Sequence, residues 1–198
     1  MKKDMGGVRK KVMLLGDSIR RSYQPHVARL LGDRARVLGP ADNCRYTLYT
    51  LSSLDRWLEE LGKPEIVHWN NGLHDAGHDP KRSPAQIPLD MYLDNLGFIL
   101  ERLRQETPRI IWATSTPVHP RREMDAARWW WDNDEIERYN EGARRMMGKE
   151  GVPVNDLHAI ISAHPDEYFA EDRLHLSAAG QMACARAVVR YVEDFLDS

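Results

Sequence analysis

The sequence has only two cysteines, Cys44 and Cys184, which are far apart in the chain. They offer neither the spacing of a metal site nor a disulfide framework, so we expect two buried thiols in a reducing compartment. The chain also lacks an apolar run long enough for a membrane helix or a secretion signal. We therefore expect a cytoplasmic protein with no membrane partner, whose charged residues 1–10 form a flexible N-terminal segment.

An excess of either charge is also missing. The 28 basic and 30 acidic side chains leave a net charge of −2, which argues against a nucleic-acid partner. The length of 198 residues and the hydrophobic content of 42% fit one globular domain with a substantial core. No internal repeat or linker divides the chain, so residues 11–198 are predicted to form a single domain.

Short apolar runs alternate with longer amphipathic stretches along the chain. Strands are predicted at 12–15, 35–38, 65–69, 109–113 and 152–154, and helices at 20–31, 51–61, 89–106, 133–149 and 177–196. This alternation predicts an α/β fold with a five-stranded parallel sheet covered on both faces. Ligands of such sheets bind beyond the carboxyl ends of the strands, so polar residues that follow the apolar runs are candidate site residues.

Two of these polar segments carry the residue types of acyl chemistry. Gly16-Asp17-Ser18-Ile19 follows the first strand, where the amides at a helix N-terminus can stabilise an anion. Near the other end of the chain, Asp172 and His175 are three residues apart, so one turn can present a base and the carboxylate that orients it. Taken alone, Ser18 could simply cap a helix, but the second segment favours the nucleophile.

Together these segments resemble the blocks of the SGNH (GDSL) hydrolases. Gly-Asp-Ser-Ile at 16–19 is similar to the first block of that family, and Asp-Arg-Leu-His at 172–175 to its last block. The resemblance implies a three-layer α/β/α sandwich of flavodoxin-like layout. It also implies a serine esterase that cleaves a small-molecule ester through an acyl-enzyme, with Ser18, Asp172 and His175 as catalytic residues and no cofactor or metal.

The third block of the family, G-x-N-D, is altered in this chain. The matching residues are Gly72-Leu73-His74-Asp75, with histidine where the family has asparagine. The resemblance implies an oxyanion hole made by the amides of Ser18 and Gly39, with a side-chain donor that is either Asn71 or His74. Four further residues near strand ends are weaker candidates for binding substrate: Asn43, Asn70, Trp129 and Trp130.

Several alternatives remain open at this stage. His74 and His78 have a spacing that could bind zinc on a helix, but the glycines at 72 and 77 argue against a helix there, so no metal site is predicted. The tryptophans at 129–131 could stack on a sugar or pack into the core. An acyltransferase would use the same three catalytic residues, and a degenerate module that only binds a ligand would keep the fold. An acetyl ester on a sugar is the predicted substrate, and the oligomeric state is not indicated.

Overall fold

A computed structural model describes residues 9–81, 84–123 and 129–197. Its centre is a five-stranded sheet whose paired strands are all parallel, in the order β2-β1-β3-β4-β5. The strands are β1 (Lys10–Leu15), β2 (Ala35–Leu38), β3 (Ile66–Trp69), β4 (Ile110–Ala113) and β5 (Val154–Asn155). This order is that of flavodoxin-like sheets, and it confirms the predicted fold class.

Helices cover both faces of the sheet. One layer contains α1 (Ser18–Leu31), α5 (Leu157–Ser162), α6 (Pro165–Tyr168) and α7 (Ala178–Leu196), with α7 packed against the other three. The other layer contains α2 (Thr47–Leu61), α3 (Leu89–Arg104) and α4 (Asn133–Lys149), in which α3 packs against both neighbours. A 3₁₀ turn, Gly32–Arg34, joins α1 to β2.

Burial on both faces explains the continuous apolar runs of the inner strands. All four residues of β3 and of β4 are buried, as are the last four of β1, so these strands read as short apolar runs rather than alternating patterns. Trp57, Trp69 and Trp112 are the largest fully buried side chains of the core. None of the helices in the described part of the chain combines the length and the hydropathy that a membrane span requires.

The start of α2 differs from its prediction because a distant residue caps it. The helix begins at Thr47, four residues before the predicted start at 51, and the N-cap residue Tyr46 contributes no side-chain hydrogen bond. Instead, the Asp75 carboxylate accepts hydrogen bonds from Thr47 N at 2.9 Å and from Thr47 Oγ1 at 2.6 Å. A carboxylate at that position satisfies amides that no neighbour in sequence serves.

The C-terminal half also departs from the predicted boundaries. The last strand was predicted at 152–154, but Val152 N bonds to Met147 O at 2.9 Å in the turn that closes α4, so β5 contains only Val154–Asn155. Helix α3 ends at Arg104 rather than at 106. The short helices α5 and α6 were not predicted, because six and four residues show little periodicity. At the other end, β1 starts at Lys10, while residues 1–8 of the expected flexible segment lie outside the described residues.

The strand order places a crevice at one edge of the sheet. The chain leaves β1 towards β2 on one side and continues from β3 to β5 on the other. In open parallel sheets, the loops that diverge at such a reversal leave a cleft beyond the carboxyl ends of the two central strands. The residues after β1 and β3 are Gly16–Ser18 and Asn70–Asp75, which brings the first and third candidate segments to the same edge.

Candidate active site

Ser18 is the first residue of α1 and lies directly beyond β1. The N-cap residue Asp17 is buried, and its Oδ1 accepts a hydrogen bond from Ile19 N at 2.8 Å, so this carboxylate braces the turn. Position 16 requires glycine, because the Arg20 side chain lies so close that a Cβ on residue 16 would be 2.8 Å from the Arg20 Cβ. The result is a half-buried serine fixed on the first turn of a helix, where the helix dipole favours negative charge.

Asp172 and His175 lie on a tight turn that precedes α7. Asp172 Oδ1 accepts hydrogen bonds from Leu174 N at 3.1 Å and from His175 N at 2.9 Å. Arg173, between them, has a left-handed backbone with φ of 69°. A β-bridge between Phe169 and Leu176 closes the base of the turn. The carboxylate and the imidazole are therefore held on one rigid loop.

The structure brings this loop to Ser18. His175 Nε2 lies 3.1 Å from Ser18 Oγ, and His175 Nδ1 lies 2.5 Å from Asp172 Oδ2. Partial burial raises the pKa of the Asp172 carboxyl, but hydrogen bonds from the His175 ring and from the two amides outweigh it and leave that pKa below its usual value. Asp172 therefore stays ionised at neutral pH and can orient the ring of His175.

Residues after β4 support the same loop. Their position after an apolar run made them candidates in the sequence, but no role was assigned to them. His119 N donates to Arg173 O at 2.8 Å, and His119 Nε2 lies 3.1 Å from Asp166 Oδ1. The His119 side chain is 2% exposed and its ring packs edge-on against Phe169, with the centroids 5.6 Å apart. These contacts fix the left-handed residue between Asp172 and His175. The only sequence signal was the position of His119 after an apolar run.

The altered third block forms a turn that is anchored on both sides of His74. On one side, Leu73 O accepts a hydrogen bond from Trp131 Nε1 at 2.6 Å. On the other, Asp75 is buried and bound to Thr47, and its Oδ2 has no partner among the described residues. Burial raises the pKa of Asp75 to about 7, although the hydrogen bonds from Thr47 oppose the shift. His74 itself is half-buried, and its ring hydrogen-bonds to none of the described residues.

The candidate asparagines differ in what their side chains contact. Both N–H groups of the Asn71 amide are engaged in the core, with Arg45 O and Thr50 Oγ1 each at 3.0 Å, so the structure does not direct this side chain towards Ser18. Asn70 instead lies at the cleft and donates to Ala113 O at 2.8 Å. Asn43 accepts from Arg45 N at 2.8 Å in a local turn. The alternative of Asn71 as the oxyanion donor therefore has no geometric support.

Gly39 lies against the first strand and the first helix. A Cβ on it would lie 2.7 Å from Leu14 O and 2.4 Å from Gln24 Oε1, so only glycine fits this position without displacing its neighbours. The following loop returns to the turn at 16–18, which is called the nucleophile turn below, after the role proposed for Ser18. Cys44 N donates to Gly16 O at 3.2 Å, and Cys44 Sγ accepts from Gly16 N at 3.3 Å. Cys44 was predicted only as a buried thiol, and burial raises its pKa.

The tryptophan segment packs against the third-block turn. Trp130 stacks on His78 with the ring centroids 4.0 Å apart, and the two residues form a β-bridge, so Trp130 is largely engaged. Trp129 is 36% exposed, and its ring centroid lies 6.5 Å from that of Trp131. His78 also contacts Glu135, and no group of three or more metal-binding side chains converges anywhere in the described ranges.

A small cavity lies between the turn at 16–18 and the ends of β3 and β4. Both polar and apolar residues line it: Asp17, Ile19, Arg20, Tyr23, Asn70, Leu73, Thr114, Thr116 and Leu157. Ser18 is not part of this lining. Its neighbours His175 and Asp172 have side chains that are 45% and 53% exposed, so solvent reaches them.

Solved structures with similar folds include three esterases or acylhydrolases. The lipase/acylhydrolase from Enterococcus faecalis is 21% identical, with 93% of this chain and 96% of that chain covered and a TM-score of 0.72. The acetylxylan esterase Axe2 from Geobacillus stearothermophilus is 19% identical, with coverage of 92% and 94% and a TM-score of 0.74. The acetyl xylan esterase AlAXEase is 17% identical, with coverage of 92% and 99% and a TM-score of 0.75. At these identities the likeness establishes the fold.

The sequence matches a protein family over most of its length, and not only at single motifs. No curated protein matches the chain. The match to the GDSL-like lipase/acylhydrolase family covers residues 14–183, from within β1 to within α7, and so includes the Gly-Asp-Ser turn, the third-block turn and the Asp172–His175 loop. With this span and the parallel sheet that carries it, the chain belongs to the GDSL-like lipase/acylhydrolase family.

Proposed function

We propose that this protein is a serine esterase that hydrolyses a carboxylic ester through an acyl-enzyme. The observation that carries the proposal is the hydrogen-bonded series from Ser18 Oγ to His175 Nε2 at 3.1 Å and from His175 Nδ1 to Asp172 Oδ2 at 2.5 Å. A serine with a base in reach, and a carboxylate on the other nitrogen of that base, is the arrangement that activates a hydroxyl for attack on a carbonyl.

The reaction follows from these contacts. An ionised Asp172 holds the proton of neutral His175 on Nδ1, so Nε2 is free to accept the Ser18 hydroxyl proton as Oγ attacks the ester carbonyl. The C–O bond to the alcohol breaks when Nε2 returns that proton to the leaving oxygen. Water then attacks the acyl-enzyme, gives its proton to Nε2 and releases the acid, and the proton returns to Ser18 Oγ.

The tetrahedral oxyanion would be held by three donors. The Ser18 amide lies at the positive end of α1, and the Gly39 amide lies on the loop that follows β2. His74 is our choice for the third donor, because it has the position of the family asparagine and because the Asn71 amide is engaged with Arg45 and Thr50. A neutral imidazole N–H can donate one hydrogen bond in this role.

Exposure of the site favours hydrolysis over transfer to another acceptor. The His175 side chain is 45% exposed, so water reaches the base that must activate it in the second half of the reaction. For the substrate we propose a short acyl group, with acetyl esters of a carbohydrate as the first candidates. Two of the similar solved structures are acetyl xylan esterases, and Trp129 offers an exposed ring for a sugar face.

Hydrolysis of p-nitrophenyl esters from acetate to octanoate, followed beside acetate release from acetylated xylo-oligosaccharides, tests this function. We expect turnover that is fastest for acetyl and that vanishes in Ser18→Ala. The matched control is Ser22→Ala, because Ser22 lies on the same helix but donates to Ile19 O at 2.7 Å. Equal rates in Ser18→Ala and the wild type would refute the proposed nucleophile, and a preference for octanoate would refute the short acyl group.

A further inference from the structure

Arg20 is a buried cation directly behind the nucleophile turn. Its side chain lies on the inner face of α1, and the residue is only 3% exposed. The inner face of α1 also carries the buried residues Tyr23, Val27 and Leu31, at the spacing of one helix face. The sequence alone gave no reason to single out Arg20. A guanidinium in such a position must have its N–H groups satisfied by the protein.

The groups that receive these N–H donors belong to two separate segments. In the nucleophile turn, Gly16 O accepts from Arg20 Nε at 3.3 Å and from Nη2 at 3.2 Å. In the loop after β2, Pro40 O and Asp42 O accept from Nη2 at 3.1 Å and 2.9 Å. One guanidinium therefore joins the segment that carries Ser18 to the segment that begins at Gly39.

The remaining contacts bring the same guanidinium against Gly39 itself. Arg20 Nη1 donates to Gln24 Oε1 at 2.8 Å, and a Cβ on Gly39 would lie 3.0 Å from Nη1. All these acceptors of the Arg20 side chain are uncharged. They are main-chain carbonyls, the Gln24 side-chain amide and, at 3.8 Å, the Cys44 thiol. A structural ion pair would have used a carboxylate, whereas these acceptors fix backbone positions.

We propose that Arg20 is a positioning residue that sets the separation between the Ser18 and Gly39 amides of the oxyanion hole by clamping Gly16 O to the carbonyls of Pro40 and Asp42. The inference rests on the proposed function of Ser18. Its specific content is that the forked shape of the guanidinium matters, and not only its charge. Lysine has the charge, but its side chain ends one bond short of the position of Nη2, the nitrogen that contacts both segments. It also lacks the Nε and Nη1 donors that hold the guanidinium against Gly16 O and Gln24 Oε1.

The experiment compares Arg20→Lys with Arg21→Lys, since Arg21 is exposed on the same helix turn. Active sites are first counted by fluorophosphonate titration, and kcat, KM and the Ki of an alkylboronic acid are then measured per active site. The boronate forms a tetrahedral anion on the serine and so reports on the oxyanion hole. For Arg20→Lys we expect kcat to fall about 10- to 100-fold and Ki to rise by the same factor, with KM within about twofold. Arg21→Lys should match the wild type.

Three outcomes separate the possible failures. If Arg20→Lys lowers the number of titratable sites but leaves kcat and Ki per site unchanged, Arg20 is merely structural and the proposal is wrong. If Arg20→Lys yields no folded protein, Gln24→Ala decides, because loss of the Nη1 acceptor should raise Ki about 2- to 10-fold and an unchanged Ki would overturn the proposal. If Ser18→Ala retains wild-type activity, the proposed function itself fails, whatever Arg20 variants do.

Discussion

The buried carboxyl of Asp75 predicts an unusual dependence of stability on pH. Burial raises its pKa in the folded protein from 3.8 to about 7, so the folded state binds a proton more tightly than the unfolded state does. The contribution of this group to stability is therefore complete below pH 3.8 and is lost as the pH rises to about 7. The perturbation that isolates it is Asp75→Asn, which cannot titrate.

The magnitude follows from the two pKa values. Each pKa unit of difference corresponds to about 1.4 kcal/mol, so ionisation of Asp75 should lower the free energy of unfolding by about 2 to 3 kcal/mol between pH 5 and pH 8. Asparagine keeps an oxygen for the two Thr47 donors, but its amide nitrogen would occupy the position of Oδ2, which has no partner among the described residues. At pH 5 the free energy of unfolding of the variant is therefore expected to be about 1 to 3 kcal/mol lower than that of the wild type.

Urea unfolding at several pH values from 5 to 8 measures the effect. The quantity of interest is the difference in free energy of unfolding between the wild type and Asp75→Asn at each pH, because the two proteins share all other titrating groups. We expect the disadvantage of the variant to shrink, or to reverse, as the pH rises. Asp94→Asn is the control for the chemical change itself, since Asp94 is exposed on α3. A pH-independent difference for Asp75→Asn would refute the reasoning.

Three further predictions concern the third-block turn, the loop after β2 and the core. His74→Ala should lower kcat about 100- to 1000-fold while His74→Asn restores most of it, and an alanine variant with wild-type kcat would exclude the ring as a donor. Gly39→Ala should lower kcat about 10- to 100-fold, because its Cβ would meet Leu14 O at 2.7 Å; an unchanged kcat would show that the loop can shift freely. Burial lowers the pKa of His68 to about 3, so stability should fall as the pH drops from 6.5 towards 3. Acid unfolding of His68→Gln should show a weaker decline, and an equal decline would contradict a neutral buried ring.

The sequence predicted the features that depend on local pattern. The five parallel strands were predicted from short apolar runs. The N-cap bonds of Asp17 and Ser177 are also local, since each joins residues no more than three positions apart. These interactions are visible in sequence because their partners are adjacent. The two segments that we propose to be catalytic were also recognisable, since each has its own compact motif.

What the sequence did not reveal depends on contacts between distant residues. Helix α2 begins early because Asp75 caps it from another loop. Our proposal of His74 rather than Asn71 as the side-chain donor rests on the partners of the Asn71 amide, Arg45 and Thr50. Arg20 was overlooked because its acceptors are main-chain carbonyls, which leave no residue signature. Backbone acceptors can come from any residue type, so only the fold identifies them.

The most direct test of the account is the site of covalent labelling by a fluorophosphonate. Intact mass spectrometry and peptide mapping of the treated protein would show whether one adduct forms and where it lies. We expect a single adduct on Ser18, absent in Ser18→Ala and strongly slowed in His175→Ala, because the attack needs Nε2 at 3.1 Å from Oγ as its base. An unlabelled protein, or an adduct on another serine with Ser18 unmodified, would contradict the assignment of Ser18 as the nucleophile.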